Sequence, residues 1–290
     1  MVLSFRMMLM RKTLLLLCLP LLLWNCTDVV ELDLPEQEPL LVVNSLFTPD
    51  SAWTVDVSAS QNALSTEPYE QVQHATVAVY QGNKLLFNMD HAGNGKYKAA
   101  DVLPQAMEHY TLKVTAPGFP ACEATGFAPA LPAISSLRVT RASAPKDPNM
   151  PEAEVTFILT DAPNVQNYYY ISAYFPDTAH TGEAYKFYLN LDMQAPFEEE
   201  FTMGALYFFS DKLIDGKATT LKLRYELPQK GTPLYLNIAQ ISPDYYLYAQ
   251  TLARYSVDNF MTTPGPVHNN IKNGLGIFAG YNTTTYLIQY

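Results

Sequence analysis

Apolar and polar positions alternate with period two along much of this chain. His74-Ala75-Thr76-Val77-Ala78-Val79-Tyr80 puts every second side chain on one face, the pattern of a half-buried strand. Short runs of the same kind, rich in β-branched and aromatic residues, predict strands over 40–43, 53–58, 75–80, 84–89, 97–99, 110–115 and 122–127. Turn residues separate them: Thr48-Pro49-Asp50, Gly82-Asn83, Gly93-Asn94-Gly95 and Ala116-Pro117-Gly118. Gly82-Asn83 between two apolar runs is a hairpin signal, because both residues tolerate positive φ. About seven short strands with regular turns predict a sandwich of immunoglobulin-like size over 40–128.

The alternation breaks at Pro129, Pro132, Pro145, Pro148 and Pro151, and prolines interrupt strand ladders. Segment 129–152 is therefore read as a proline-rich joint. Strands resume over 153–160, 168–174, 185–191, 219–225, 234–241, 276–279 and 284–288. One stretch follows a different period. Ser242 supplies a cap, Pro243 a first-turn proline and Asp244 a first-turn acid, and Tyr245, Tyr248, Ala249, Leu252 and Tyr255 fall on one helical face. The pattern predicts a helix over 243–255. The expected fold is mainly β: an N-terminal sandwich at 40–128, then a second β-rich, sandwich-like domain at 153–290 with one short helix.

The first residues follow neither pattern. Arg11 and Lys12 precede an apolar run over 14–24, which ends at Asn25-Cys26. Eleven residues fall short of the ~20 that span a bilayer, but fit a signal-peptide core with its positive flank. A cysteine at the cut point predicts a lipoprotein signal peptide over 1–25, with Cys26 lipidated at the new N-terminus. Asp28, Glu31, Asp33, Glu36 and Glu38 then make 26–39 an acidic tether. Removing 1–25 takes away Arg6, Arg11 and Lys12 and no acid, so the net charge moves from −10 to −13. An acidic chain is a poor partner for nucleic acid, which demands basic patches. Of three cysteines, Cys122 alone is left over, so no internal disulfide is expected.

Two resemblances extend this picture. Ala75-Thr-Val-Ala-Val-Tyr-Gln-Gly82, Gly95-Lys-Tyr-Lys98 and Tyr110-Thr-Leu-Lys-Val-Thr-Ala-Pro-Gly-Phe119 resemble transthyretin-like and carboxypeptidase-regulatory-like sandwiches, which are structural or adhesive. Four further motifs point to a second family. They are Leu40-Leu-Val-Val-Asn-Ser-Leu-Phe-Thr-Pro-Asp50, Phe208-Phe-Ser-Asp-Lys-Leu-Ile-Asp-Gly-Lys217, Ile241-Ser-Pro-Asp-Tyr-Tyr-Leu-Tyr-Ala-Gln250 and Asn269-Asn-Ile-Lys-Asn-Gly-Leu-Gly-Ile-Phe-Ala-Gly-Tyr281. They resemble the domain-of-unknown-function 4249 family of Bacteroidota outer-membrane lipoproteins. The chain departs from that family at Asn259-Phe-Met-Thr-Thr-Pro-Gly-Pro266. The resemblance implies no catalytic residues. It implies an outer-membrane location and a role beside a TonB-dependent transporter. Asp50-Ser51-Ala52 and Asp177-Thr178-Ala179 match a short O-glycosylation pattern of this bacterial group.

Candidate chemistry is sparse. His74, His91, His109, His180 and His268 show no metal-ligand spacing, and no phosphate loop or nucleophile elbow is present. Neither a metal nor a cofactor is expected, and Glu198-Glu199-Glu200 reads as a solvated face. Cys122, in a strand, reads as a small buried apolar residue. Tyrosine is the unusual component, with 20 residues. Most suit strands, but Tyr168, Tyr170, Tyr245 and Tyr246 are candidates for an interface, where tyrosine is enriched. The expected function is a lipid-anchored, non-enzymatic partner of a TonB-dependent transporter, capturing or docking ligand. An adhesin or fimbria-like subunit is the alternative, and a glycan-binding module or hydrolase a further one.

Overall fold

A computed structural model describes residues 38–62, 65–143, 145, 151–177, 185–194, 197, 200–227, 232–255 and 265–288. Residues 1–25, expected as a signal peptide, Cys26, nearly all of the expected tether, Thr178, His180, Glu198 and Glu199 lie outside the described residues. Residues Glu38–Tyr290 form one compact unit.

The strands, in chain order, are β1 (Leu41–Phe47), β2 (Trp53–Ala59), β3 (Thr76–Gln81), β4 (Lys84–Asn88), β5 (Asp90–His91), β6 (Lys96–Ala99), β7 (His109–Thr115), β8 (Cys122–Phe127) and β9 (Ala133–Arg141). Then come β10 (Glu152–Thr160), β11 (Tyr168–Asp177), β12 (Tyr185–Leu189), β13 (Asp192–Gln194), β14 (Phe201–Met203), β15 (Leu206–Ser210), β16 (Ala218–Glu226) and β17 (Leu234–Ile241). Helix α1 (Pro243–Arg254) and β18 (Leu275–Ile288) complete the described chain. The fold is mainly β with one short helix, as the alternation predicts.

The N-terminal half is a sandwich. Alternation on β1 and β2 sends Leu41, Val43, Phe47, Trp53, Val55 and Val57 inward, all buried. They pack against Val77, Val79, Leu112 and Val114 of the four-stranded sheet β4-β3-β7-β8. At its centre the Trp53 ring lies 4.7 Å from Phe47 and 4.9 Å from Tyr110.

The C-terminal half has two cores on opposite faces of one sheet. Tyr169, Ile171, Leu236 and Ile238 face the four-stranded sheet β13-β16-β10-β9, meeting Val155, Phe157, Leu221 and Leu223. On the other face α1 covers Tyr170, Phe208, Ala239 and Ile241. Ser242 caps the helix by accepting the Tyr245 N–H, Pro243 opens it and Arg254 sits in its last turn.

The expected boundary between the halves takes a different form. Residues 133–141, inside the proline-marked joint, form β9 and pair with β10 from Ala133↔Thr160 to Arg141↔Ala153. Prolines flank that strand rather than interrupt it. The two predicted strands over 276–279 and 284–288 are one continuous strand of 14 residues. Its first part runs parallel to β1, from Val42↔Leu275 to Phe47↔Gly280. Its second part runs antiparallel to β17, from Ile241↔Tyr281 to Leu234↔Ile288. The two halves therefore share a single ten-stranded sheet, and Phe278, wholly buried, belongs to the N-terminal core at 4.7 Å from Phe47.

The Asn269–Tyr281 motif holds this arrangement. Asn270 mimics a neighbouring strand: its Nδ2 donates to Phe278 O at 2.9 Å and its Oδ1 accepts the Phe278 N–H at 2.9 Å. Asn269 closes the preceding turn through Ile271 N–H and Gly274 O. Asn282 Nδ2 donates to Pro129 O at 3.0 Å, a buried bond across the joint. Cys122 is free and buried under this turn, its thiol donating to Asn273 O at 3.4 Å, and burial pushes the thiol pKa up.

Candidate functional site

Three groupings of side chains stand out, and the sequence singled out the members of only one. The four tyrosines proposed for an interface do come together, but as core. Tyr168 stacks on Tyr246 at 4.4 Å, and Tyr170 meets Tyr245 edge-on at 6.2 Å. Tyr170, Tyr245 and Tyr246 are buried between α1 and the sheet. Burial, reinforced by the neighbouring Tyr245 and Tyr281, lifts the Tyr170 phenol well above its usual range. Their rings serve helix-on-sheet packing and leave little face for a partner, so the interface assignment is corrected for these three. Period-two alternation puts Tyr168 and Tyr170 on one face; on α1 the buried residues are Tyr245, Tyr246 and Ala249, while Leu252 and Tyr255, expected on the buried face, are exposed.

The second grouping is polar. Asp161, after β10, accepts Tyr169 OH at 2.6 Å and Asn167 Nδ2 at 3.1 Å on Oδ1, and the Gly216 N–H at 3.1 Å on Oδ2. Asp211, after β15, accepts the Asn167 N–H at 2.6 Å. Asp215 accepts the Asn164 N–H at 2.8 Å. Carboxylate oxygens of Asp161, Asp211 and Asp215 lie within 4.8 Å of one another, a spacing a divalent cation can bridge. Their hydrogen bonds give them a structural role already, tying the 161–167 loop to the 211–216 turn. Burial, with the charges of Asp161 and Asp215, pushes the Asp211 carboxyl up despite the bond from Asn167. Asp211 and Asp215 belong to the motif starting at Phe208, which this network explains.

The third grouping is a cleft of about 460 Å³ lined by residues of β10, β12, β13 and β16. The chain crosses there from β12 on the large sheet to β13 on the small one. Phe187, Leu189 and Leu191 are its apolar lining, and Glu152, Arg224 and Glu226 are among its charged lining. Phe187 is half exposed, and its ring stacks on Phe175 at 4.9 Å. Arg224 Nε and Nη2 both donate to Glu154 Oε2, at 3.0 and 2.8 Å, and Lys222 Nζ reaches the same oxygen at 2.8 Å. Those two cations hold the Glu154 carboxyl below the usual carboxylate range. The volume falls in the range of small-ligand sites, and the walls combine paired strands with the 190–191 connection. The cleft residues give no local sequence signal. Glu152 and Glu226 become neighbours only through strand register.

Among the described histidines, His91 and His109 lie in strands and His74 in a loop. His268 differs: its Nε2 lies 2.8 Å from Asp244 Oδ1, and its N–H donates to Thr251 Oγ1 at 2.8 Å. This contact pins the segment after α1 onto the helix, across a sequence separation that spacing rules do not see. Asp50-Ser51-Ala52 lies in the exposed turn between β1 and β2. No helix among the described residues is long and apolar enough to cross a membrane.

A family model described as domain of unknown function (DUF4249) matches residues 27–286, nearly the whole chain. The chain belongs to the DUF4249 family. The DUF4249 match covers both halves and reaches into β18, the strand they share. No curated protein matches the chain. Among solved structures, it is similar to a β-glucuronidase from glycoside hydrolase family 2, at 13% identity, 71% of this chain, 19% of that chain and a TM-score of 0.23. The DUF4249 chain thus spans about a fifth of the length of that enzyme. It is also similar to the yeast delta-COP-I mu-homology domain complexed with the Dsl1 WxWxV peptide, at 10% identity, 88% of this chain, 100% of that chain and a TM-score of 0.24. At those scores neither likeness bears on function.

Proposed function

We propose that this chain is a lipid-anchored, non-enzymatic protein of the outer membrane that serves a TonB-dependent transporter by capturing or docking ligand. The cleft carries the reading: a ligand-sized opening lined largely by strand residues, whose Arg224 already donates to Glu154. The basic flank, short apolar run and Cys26 support the anchor. Several acyl chains, each contributing ~0.8 kcal/mol per buried CH₂, hold a protein on a membrane without help from surface charge. That suits an acidic chain.

Two measurements test the proposal. Full-length protein purified by affinity from detergent-solubilised outer membrane in its native host is expected to bring a TonB-dependent transporter with it. Recovery without any transporter overturns the partner assignment. Cys26→Ser is expected to move the protein from the membrane to the soluble fraction. A variant that stays membrane-bound removes the anchor.

A further inference from the structure

The chain carries two Asn-Gly pairs, Asn94-Gly95 and Asn273-Gly274, and the fold treats them differently. Asparagine before glycine is chemically labile, because no side chain shields the glycine nitrogen from the asparagine amide. Both asparagines are exposed and sit at positive φ, 50° and 59°. Asn273 is held. Its Nδ2 donates to Ala121 O at 3.3 Å, its carbonyl accepts the Cys122 thiol at 3.4 Å, and the Gly274 N–H donates to Ile271 O at 3.4 Å. Gly274 is buried, and a Cβ there would lie 2.6 Å from Cys122 Sγ and 2.9 Å from Leu41 O. Asn94 and Gly95 lie in the turn between β5 and β6, closed by the Lys96 N–H donating to Gly93 O at 2.9 Å. Among the described residues neither the Asn94 side chain nor the Gly95 N–H has a hydrogen-bond partner.

We propose that Asn94 is a modification site, deamidating in the native protein while the fold keeps Asn273 intact. The Gly95 nitrogen bonds to the Asn94 side-chain carbonyl carbon, the C–NH₂ bond breaks, and the amide leaves as ammonia with the proton that Gly95 gives up. Water then opens the five-membered imide, leaving aspartate or isoaspartate. The attack needs the turn to open, so its rate follows the cost of local opening. At Asn94 that means releasing β5, two exposed residues at the end of the ten-stranded sheet, paired with β6. At Asn273 it means disturbing the turn that leads β18 onto β1. Packing also retains the labile pair, since a Cβ on Gly95 would lie 2.4 Å from Val57 O. Isoaspartate adds a backbone carbon to the turn, which shifts β5 out of register and uncovers the β6 edge.

This inference is independent of the binding role proposed above. The test holds purified full-length protein in detergent and mildly alkaline buffer, with and without urea. Samples taken over time are digested with pepsin at acid pH, and mass spectrometry reads the conversion of amide to acid in the peptides carrying Asn94 and Asn273. In the native protein Asn94 is expected to convert at least roughly tenfold faster than Asn273, and in urea the two rates should agree within about threefold. Asn94→Gly keeps a residue suited to positive φ and should remove most of the acidic species that isoelectric focusing resolves in aged native protein. A native ratio no larger than the ratio in urea, an Asn94 that stays intact while the urea sample reacts, or an acidic species undiminished in Asn94→Gly would each overturn the inference.

Discussion

Replacing Gly276 with alanine is expected to loosen the opposite end of the sequence. Gly276 sits in β18 at φ +115°, and a Cβ there would lie 2.1 Å from Val43 O and 2.8 Å from Val43 C. Those are backbone atoms of a paired strand, so no side-chain rotation relieves the clash. Positive φ costs a residue with a Cβ about 1–2 kcal/mol, and overpacking adds about 1–3 kcal/mol. The expected loss of about 2–5 kcal/mol is a large share of the 5–15 kcal/mol that holds a typical domain together. Trp53 is the reporter, since Phe278 of the same strand packs in its core. Urea titration followed by Trp53 fluorescence should show a clearly lower midpoint. Gly118→Ala is the control: it too has positive φ, +85°, but nothing lies within 4 Å of its added Cβ. It should cost only about 1–2 kcal/mol. Equal midpoints for the two variants would contradict the tight docking of β18 on β1.

Asp161→Ala is expected to be comparably damaging in the C-terminal half. It removes the acceptor for Tyr169 OH, Asn167 Nδ2 and the Gly216 N–H together. Tyr169 and Asn167 are buried, so water cannot replace the lost oxygen cheaply. At about 1–3 kcal/mol for each buried group left unsatisfied, a loss of about 3–5 kcal/mol in urea unfolding is expected. Asp161→Asn keeps one carbonyl oxygen and should lose distinctly less. The neighbouring Asp211 behaves in the opposite sense. Its folded carboxyl titrates above its unfolded value, so its contribution to stability is present at low pH and is lost as pH rises through the folded pKa. Asp211→Asn should therefore flatten the stability–pH curve above the usual carboxylate range without lowering stability at neutral pH. A steeper curve would place the repulsion elsewhere.

Period and punctuation made most of this fold legible. Nearly every run with alternation became a strand within a residue or two, and Ser242-Pro243-Asp244 opened the helix where expected. β9 was missed because prolines on both sides outweighed a weak alternation in Ala133–Arg141, most of whose residues are exposed. β15 was missed because Leu206–Ser210 is nearly all buried, from Tyr207 to Ser210, and a strand covered on both faces has no alternation to read. The sites were less legible. Tyr168, Tyr170, Tyr245 and Tyr246 were found together, yet composition cannot distinguish a ring that meets a partner from one that meets its own helix. The cleft depends on Glu152 pairing with Glu226, which is set by register between distant segments. Asp161, Asp211 and Asp215 likewise converge only through the loops that close their strands.

The parallel pairing of β1 with β18 also sets an order of events. A ribosome releases Leu41 long before Leu275, its neighbour's ladder partner at Val42. Until Phe278 emerges, the N-terminal sandwich lacks both an edge strand and a central ring, so it has no reason to close early. Joining these ends means closing a loop of roughly 230 residues, at a cost on the order of 5 kcal/mol. Docking of β18 on β1 therefore needs nearly the whole chain, and a chain cut short anywhere before Gly274 leaves β1 as an open edge, prone to pair with another molecule.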